Sequence, residues 1–157
     1  MCNIIQSLKF IQDSIGDIQT YSDVYSNESW GFSSDEVFLN MVVEILTPSN
    51  EREVLESLLR IQSETYSRHN NTLYNSRDID IDILFFNDLI LSCDNLCVPH
   101  PLLHLRDFCI QPLFEIAPKI IHPVFLQTTE QLYTSSGFNA LKCFVTKSDL
   151  QKMLSQS

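Results

Sequence analysis

The feature that most constrains this chain is a strict alternation of acidic and aliphatic residues. Residues 78–83 have the sequence Asp-Ile-Asp-Ile-Asp-Ile and continue into the apolar segment 84–86. Because successive side chains of a β-strand point to opposite faces, this pattern predicts a strand whose isoleucines enter a core while its aspartates share the other face. Periodicity alone leaves two interpretations of the acidic face open: a solvated surface, or a site that binds a cation.

Two observations favour the cation site. Aspartate is depleted from strands, so three aspartates on one face of a strand are unusual. Hard divalent cations prefer carboxylate oxygens, and Mg²⁺ commonly takes one or two carboxylates and completes its shell with water and substrate phosphate. Arg68 and Arg77 lie upstream, in or beside a polar segment, where their guanidinium groups would meet such phosphates. The segment therefore predicts a metal and phosphate site.

Other motifs of the chain occur in an order and spacing that resemble one family. They are Arg-x-x-Asp-x-Asp at 77–82, Val-Pro-His-Pro at 98–101, Arg-Asp-Phe at 106–108, Pro-Leu-Phe-Glu-Ile-Ala-Pro at 112–118, and, upstream, Trp-Gly-Phe at 30–32 and Phe-Leu-Asn at 38–40. Together they resemble the 6-hydroxymethyl-7,8-dihydropterin pyrophosphokinases of folate synthesis. The resemblance extends from about Ile4 to about Leu132.

The resemblance implies a reaction, its cofactors and a set of site residues. Pyrophosphate passes from the co-substrate ATP to the hydroxymethyl group of the pterin, AMP is released, and a pair of Mg²⁺ ions assists. The implied metal ligands are Asp80 and Asp82, and the implied catalytic residues are Arg77 and Arg68. The implied ATP-binding residues are His100, Arg106, Tyr74 and Ile83. The implied pterin-binding residues are Asn40, Phe38, Phe108, Trp30 and Asn27.

Plainer roles stay open for several of these residues. They are core packing for Trp30 and Phe108, packing of the ring on the strand for Tyr74, a hydrogen bond to neighbouring backbone for Asn40, and solvent exposure in a loop for His100 and Arg106. The chain also departs from the family pattern. Asn27 and Ser29 stand where Thr and Pro are common, and Leu59 and Gln62 stand where the family has nucleotide-contacting Gln and Glu.

These departures keep other functions open. One is a degenerate or truncated homologue that binds pterin and nucleotide without turnover. Another is a different Mg²⁺-dependent nucleotidyl or phosphoryl transferase. The family also begins with a strand and a Gly-rich loop, whereas this chain starts at its first helix. We expect an N-terminally shortened fold with unpaired strand edges, whether through a late-assigned start, a degenerate product or a genuine short variant.

Composition limits the remaining possibilities. A chain of 157 residues that is 44% hydrophobic suits a single domain over 1–157, with the tail 134–157 unassigned. Ten basic against twenty acidic residues give a net charge of −10, which argues against binding to nucleic acid or anionic membranes. The sequence has no long apolar run and no signal segment, so we expect a cytoplasmic monomer that acts on small molecules.

The cysteines and histidines do not favour a further metal site. The five cysteines include no Cys-x-x-Cys pair, which predicts reduced thiols rather than disulfides or zinc ligands. His100 and His104 are four residues apart, but Pro99 and Pro101 break the helix that would align them on zinc.

Local patterns predict the elements. Helices are expected from the start to about Ser14, from the Thr47 to Asn50 segment to about Tyr66, and over 108–117, 128–133 and 148–154. Strands are expected over 18–25, 38–46 and 78–86, the last forming a hairpin with 89–91 through a turn at Asn87 and Asp88. The resemblance arranges them as an α/β (α+β) fold, a ferredoxin-like sandwich with a mostly antiparallel sheet and helices packed on it.

Overall fold

The computed structural model describes residues 1–27, 37–69 and 79–156, with only the backbone described for 63–69. The helices are α1 (Cys2–Ser14), α2 (Glu51–His69), α3 (Asp107–Ile116), α4 (Thr129–Ser136) and α5 (Lys147–Ser155), with a 3₁₀ turn at Leu103–Leu105. The strands are β1 (Asp17–Tyr21), β2 (Val24–Asn27), β3 (Phe38–Asn40), β4 (Val43–Leu46), β5 (Leu91–Cys93), β6 (Leu96–Val98) and β7 (Lys142–Val145). The pairs β2/β3, β2/β7 and β5/β6 are antiparallel, which confirms the predicted α+β class.

The chain divides into two compact units. The first combines Met1–Gln19 with Ile45–Ile83, and the second combines Thr20–Glu44 with Leu84–Ser157. The interpretation of 1–157 as a single domain stays a prediction.

Helices α1 and α2 dominate the first unit. In α2, Val54, Leu58 and Ile61 recur at helical spacing and are all buried, as an amphipathic helix requires. The start of α2 is a reciprocal cap: the Asn50 side-chain oxygen accepts from the backbone N–H of Glu53 at 3.1 Å, and the Glu53 carboxylate accepts from the N–H of Asn50 at 2.9 Å. This cap explains why the predicted helix begins where it does.

The second unit has a three-stranded sheet with the order β3-β2-β7, and helices beside it. Its core consists of Val42, Leu103, Ile110, Leu113 and Leu132, which come from the 3₁₀ turn, α3, α4 and the β3/β4 connection. Helix α4 begins with a capping box between Thr128 and Gln131 and is followed by Gly137, whose φ of 70° is adopted most readily by glycine. The helices predicted over 108–117, 128–133 and 148–154 are confirmed as α3, α4 and α5.

The strands predicted over 18–25 and 38–46 are each divided into two. The interruption lies at Ser22, whose N–H donates to the Val42 carbonyl at 2.9 Å and whose hydroxyl accepts from the Val42 N–H at 3.0 Å. The buried Ser22 side chain thus replaces one ladder interaction where the chain passes from the β1/β4 pair to the β2/β3 pair. The predictions of one continuous strand over 18–25 and one over 38–46 were therefore wrong.

The predicted strand over 78–86 and its hairpin with 89–91 are also wrong for the residues that the structure describes. Residues 79–86 belong to no strand there, and the turn at Asn87 and Asp88 is followed instead by a separate hairpin of β5 and β6. The carbonyl of Leu84 accepts a hydrogen bond from the His100 N–H at 2.9 Å. Leu84 is thus hydrogen-bonded to a loop and not to a neighbouring strand.

Two other expectations concern the whole chain. All five cysteines are described and are reduced thiols, as predicted. Among the described helices, none is both apolar enough and long enough to cross a lipid bilayer.

Candidate functional site

The acidic segment of the first unit keeps its alternation although it is not in a strand. Asp80 and Asp82 are exposed, whereas Ile79, Ile81 and Ile83 are half-buried. The predicted separation into an acidic and an apolar side is therefore confirmed for residues 79–83. Isoleucine burial is sufficient to orient the two carboxylates toward solvent, with or without a partner strand.

The two carboxylates fit the chemistry of Mg²⁺. They supply hard oxygen donors on one exposed side of the chain, and Mg²⁺ needs only one or two such groups because phosphate and water complete its shell. No group of three or more His, Cys, Asp or Glu side chains suited to a metal occurs in the described parts of the chain. The donor set thus suits a cation that arrives with a phosphate ligand better than a fully protein-enclosed metal.

Helix α2 contacts the backbone between the two aspartates. The side-chain N–H of Gln62 donates to the Ile81 carbonyl at 3.0 Å. The family has a nucleotide contact near this helix position, and in this chain the Gln62 amide binds the acidic segment itself. Leu59, the other residue of this helix that departs from the family pattern, is 51% exposed.

In the second unit, three predicted pterin residues lie on one face of the β2/β3 pair. The register places Asn27 opposite Phe38 and Tyr25 opposite Asn40. Because alternate residues of a strand share a face, these four side chains lie on the same side of the pair. The Asn40 amide confirms this arrangement by donating to the side-chain oxygen of Asn27. This hydrogen bond joins two side chains, whereas the plainer interpretation had Asn40 bonding neighbouring backbone.

Helix α3 is joined to the same face. The Tyr25 hydroxyl donates to the Glu115 carboxylate at 2.9 Å. Phe108 lies seven residues before Glu115, so the two side chains lie on one stripe of the helix, two turns apart. Phe108 is half-buried, and the Arg106 guanidinium carbon lies 5.6 Å from the centre of its ring, at cation–π distance. The face that carries Phe38 and the helix stripe that carries Phe108 are thus tied together through Tyr25.

The Tyr25 hydroxyl titrates unusually. Burial of the phenol, together with its hydrogen bond to the Glu115 carboxylate, raises the pKa of Tyr25 to about 12. The hydroxyl therefore stays protonated and remains a hydrogen-bond donor throughout the neutral range. Glu115 and Tyr25 were not among the sequence-predicted site residues; the seven-residue spacing of Phe108 and Glu115 and the two-residue spacing of Tyr25 and Asn27 were the available signals.

His100 is held within the Val-Pro-His-Pro loop. Its ring Nδ1 accepts a hydrogen bond from the backbone N–H of Leu102 at 3.2 Å. The backbone N–H of His100 donates to the Leu84 carbonyl. His100 is half-buried, so both its proposed role and the alternative of a loop residue that is partly exposed to solvent stay predictions. Arg106, which is also half-buried, ends the 3₁₀ turn just before α3.

Several predicted site residues lie outside the described residues. They are Arg77, Tyr74 and Trp30. Arg68 lies on α2, and only its backbone is described. The structure thus brings together Asn27, Phe38 and Asn40 in the second unit and Asp80 with Asp82 in the first, where Ile83 is half-buried.

Comparison with known proteins identifies relatives along most of the chain. Residues 1–118 match the family model described as 7,8-dihydro-6-hydroxymethylpterin-pyrophosphokinase (HPPK). A 2-amino-4-hydroxy-6-hydroxymethyldihydropteridine pyrophosphokinase of Aquifex aeolicus is 30% identical over 142 residues, which cover 90% of this chain and 88% of the relative. A protein of the same name from Bacillus subtilis is 34% identical over 70% of this chain and 65% of its own length. The Folic acid synthesis protein FOL1 of Dictyostelium discoideum is 32% identical over 83% of this chain, which corresponds to 20% of that longer protein.

Proposed function

We propose a function on one premise: this chain belongs to the 7,8-dihydro-6-hydroxymethylpterin-pyrophosphokinase family. It is a 2-amino-4-hydroxy-6-hydroxymethyldihydropteridine pyrophosphokinase of folate biosynthesis. It transfers pyrophosphate from ATP to 6-hydroxymethyl-7,8-dihydropterin and yields the pterin diphosphate and AMP. The observation that carries this conclusion is the match over residues 1–118, which contains every predicted site residue.

The pterin would bind on the β2/β3 face. The side-chain amides of Asn27 and Asn40 offer both donors and acceptors, as the amide-like edge of a pterin requires. Phe38 lies opposite Asn27 in the register and would stack on one side of the flat ring. Phe108 of α3 would stack on the other side. The hydrogen bond between the two asparagines supports this assignment because it orders both amides before the ligand arrives.

Asp80 and Asp82 would hold Mg²⁺. When bound, the metal neutralises the charge of the ATP phosphates during phosphoryl transfer. The exposure of both carboxylates and the Gln62 contact to the Ile81 carbonyl support this role, because they leave the carboxylates on the solvent side of a fixed backbone.

The transfer is a displacement at the β-phosphorus of ATP. The hydroxymethyl oxygen forms a bond to that phosphorus and loses its proton, while the bond from the phosphorus to the bridging oxygen of the α-phosphate breaks and AMP leaves. Arg77 and Arg68 would stabilise the negative charge on the transferred group, since guanidinium groups bind phosphate oxygens in a bidentate manner.

Four predicted residues would contact ATP. His100 and Arg106 would bind the phosphates, Tyr74 would stack on the nucleotide, and Ile83 would pack against it. The hydrogen bond from the Leu102 N–H to Nδ1 supports the role of His100, because it fixes the orientation of the ring.

We further propose that the chain acts as a cytoplasmic monomer on small molecules, without nucleic-acid or membrane partners. The net charge of −10 supports this proposal because a strongly acidic surface repels phosphate backbones and anionic lipids.

A combined assay tests the function. The protein is incubated with ATP, Mg²⁺ and 6-hydroxymethyl-7,8-dihydropterin, and AMP formation is followed beside calorimetric titrations with each substrate. AMP formed in proportion to pterin diphosphate is the expected result. Binding of both substrates without AMP would establish the degenerate, non-catalytic homologue instead.

A further inference from the structure

The carboxylate of Glu115 joins helix α3 to the strand that carries Asn27. Its two oxygens accept from the backbone N–H of Asp23 at 3.0 and 3.1 Å, and one of them also accepts from the Tyr25 hydroxyl at 2.9 Å. The partners are separated by 90 and 92 residues in the sequence. This is therefore a tertiary connection and not a local turn or cap.

Glu115 is exposed, but its hydrogen bond to the Tyr25 hydroxyl is partly buried. Hydrogen bonds to an ionised carboxylate are shorter and stronger than neutral ones, and here the same carboxylate receives a backbone donor and a side-chain donor. Tyr25 is only 9% exposed, so removal of Glu115 would leave its hydroxyl with the Gln111 side chain and without its charged partner. Loss of the carboxylate would thus affect the placement of Tyr25, not only the surface of α3.

Both ends of the connection lead to proposed pterin residues. Tyr25 is paired with Asn40 and lies two residues before Asn27 on the same strand face. Glu115 shares a helix stripe with Phe108, two turns away. The carboxylate is thus one contact, beside the Gln111 contact to Tyr25, between the face with the two amides and the helix with the second stacking ring.

We infer that Glu115 is a positioning residue for the pterin: its hydrogen bonds to Asp23 and Tyr25 set the separation between the β2/β3 face and the Phe108 stripe of α3. The residue does not touch the substrate in this arrangement. It fixes the width of the slot into which the flat ring enters. This inference rests on the proposed function, because it assigns the substrate of that same site.

The experiment compares three variants with the wild-type protein. Glu115→Ala removes the connection, Glu115→Gln keeps one oxygen, and Tyr25→Phe removes the hydroxyl alone. Affinity for 6-hydroxymethyl-7,8-dihydropterin is measured by calorimetry with a non-hydrolysable ATP analogue present, and affinity for the analogue with Mg²⁺ is measured separately. Glu130→Ala is the matched control, since Glu130 is an exposed acid on α4 of the same unit.

The expected result is selective for the pterin. Glu115→Ala weakens pterin binding by about tenfold, as expected when a charge-assisted hydrogen bond that orders a binding surface is lost, and changes affinity for the ATP analogue by less than about twofold. Tyr25→Phe shifts pterin affinity in the same direction, Glu115→Gln lies between wild type and Glu115→Ala, and Glu130→Ala matches wild type. Because Tyr25→Phe keeps the ring, it tests the inference even if Glu115→Ala fails to fold.

Two outcomes overturn the inference. One is wild-type pterin affinity in both Glu115→Ala and Tyr25→Phe, and the other is equal weakening for pterin and ATP analogue, which would mean a general structural role. Failure of the proposed function has a different signature, since it is the absence of AMP formation by the wild-type protein. The binding measurements do not require turnover, so the two results are obtained independently.

Discussion

Gln62 of α2 donates a hydrogen bond to the carbonyl of Ile81, which lies between the two aspartates of the acidic segment. The distance is 3.0 Å, and the contact is partly buried. It supplies a side-chain partner to a backbone carbonyl that a β-ladder would otherwise satisfy. The position of the proposed metal ligands therefore depends on a helix side chain of the same unit.

The Gln62 contact predicts a stability effect. Replacing Gln62 by Leu should lower the free energy of unfolding by about 1 kcal/mol, because the Ile81 carbonyl loses its partner in a partly buried place. Urea unfolding followed by circular dichroism measures the change. Gln6→Leu is the control, since Gln6 is an exposed glutamine of α1 in the same unit. A Gln62→Leu variant as stable as Gln6→Leu would show that the contact contributes nothing.

The exposed carboxylates predict a catalytic effect without a binding effect. Asp82→Ala should reduce AMP formation by at least about a hundredfold, because charge on the ATP phosphates would no longer be neutralised at this position. Pterin affinity should change little, since the pterin would meet the metal held by Asp82 only through its reacting hydroxyl. Steady-state AMP release and pterin calorimetry check both parts.

Asp88→Ala serves as the control for Asp82→Ala. Asp88 is an exposed aspartate in the turn that follows the same segment. The Asp88→Ala variant should form AMP at the wild-type rate. Wild-type activity in Asp82→Ala would refute the proposed metal role.

The raised pKa of Tyr25 predicts a loss of stability in alkali. An unfolded tyrosine loses its proton near pH 10.0, whereas the folded hydroxyl keeps it until about pH 12. The stabilisation is therefore complete below about pH 10 and is lost as the pH rises toward about 12, because over that range the unfolded state binds fewer protons. Urea unfolding at a series of alkaline pH values measures the decline.

Tyr25→Phe separates this effect from other groups that titrate in alkali. Burial also raises the pKa of Tyr21 and of the Cys143 thiol, so the wild-type protein carries several contributions. The phenylalanine variant should lack only the Tyr25 contribution and should lose less stability over the same range. Parallel curves for the two proteins would contradict the raised pKa.

His122 predicts an acid-sensitive loop. Burial, and next the charge of nearby His104, lower the pKa of His122, whose Nδ1 accepts hydrogen bonds from the N–H groups of Val124 and Phe125 at 3.2 and 3.3 Å. The contribution of neutral His122 to stability is fully present above pH 6.5, the pKa of an unfolded histidine. This contribution is lost as the pH falls below 6.5, because the unfolded state then binds a proton more readily than the folded state does. An NMR titration of the imidazole should give a pKa below 6.5. A pKa at or above 6.5 would contradict this account.

The helices were predictable because their signals are local. The Asn50 and Glu53 cap, the apolar spacing of Val54, Leu58 and Ile61, and the capping box of α4 each lie within a few residues, and the structure contains the corresponding helices. Gly16 lies just past the end of α1, where glycine is common. Its actual requirement is tertiary, since a Cβ there would collide with the Leu46 carbonyl and with Thr47.

The sequence by itself determined which side chains of 79–83 turn toward solvent, because the alternation of Asp and Ile fixes their faces and burial of isoleucine stabilises that choice. Only the tertiary structure decided how the segment is held, through Gln62 and not through a strand, and where Ser22 interrupts the predicted strands. The tertiary structure also decided that Glu115 joins Asp23 and Tyr25. The physical reason is that the face of a side chain follows from its neighbours in sequence, whereas its hydrogen-bond partner depends on which distant segment comes within about 3 Å.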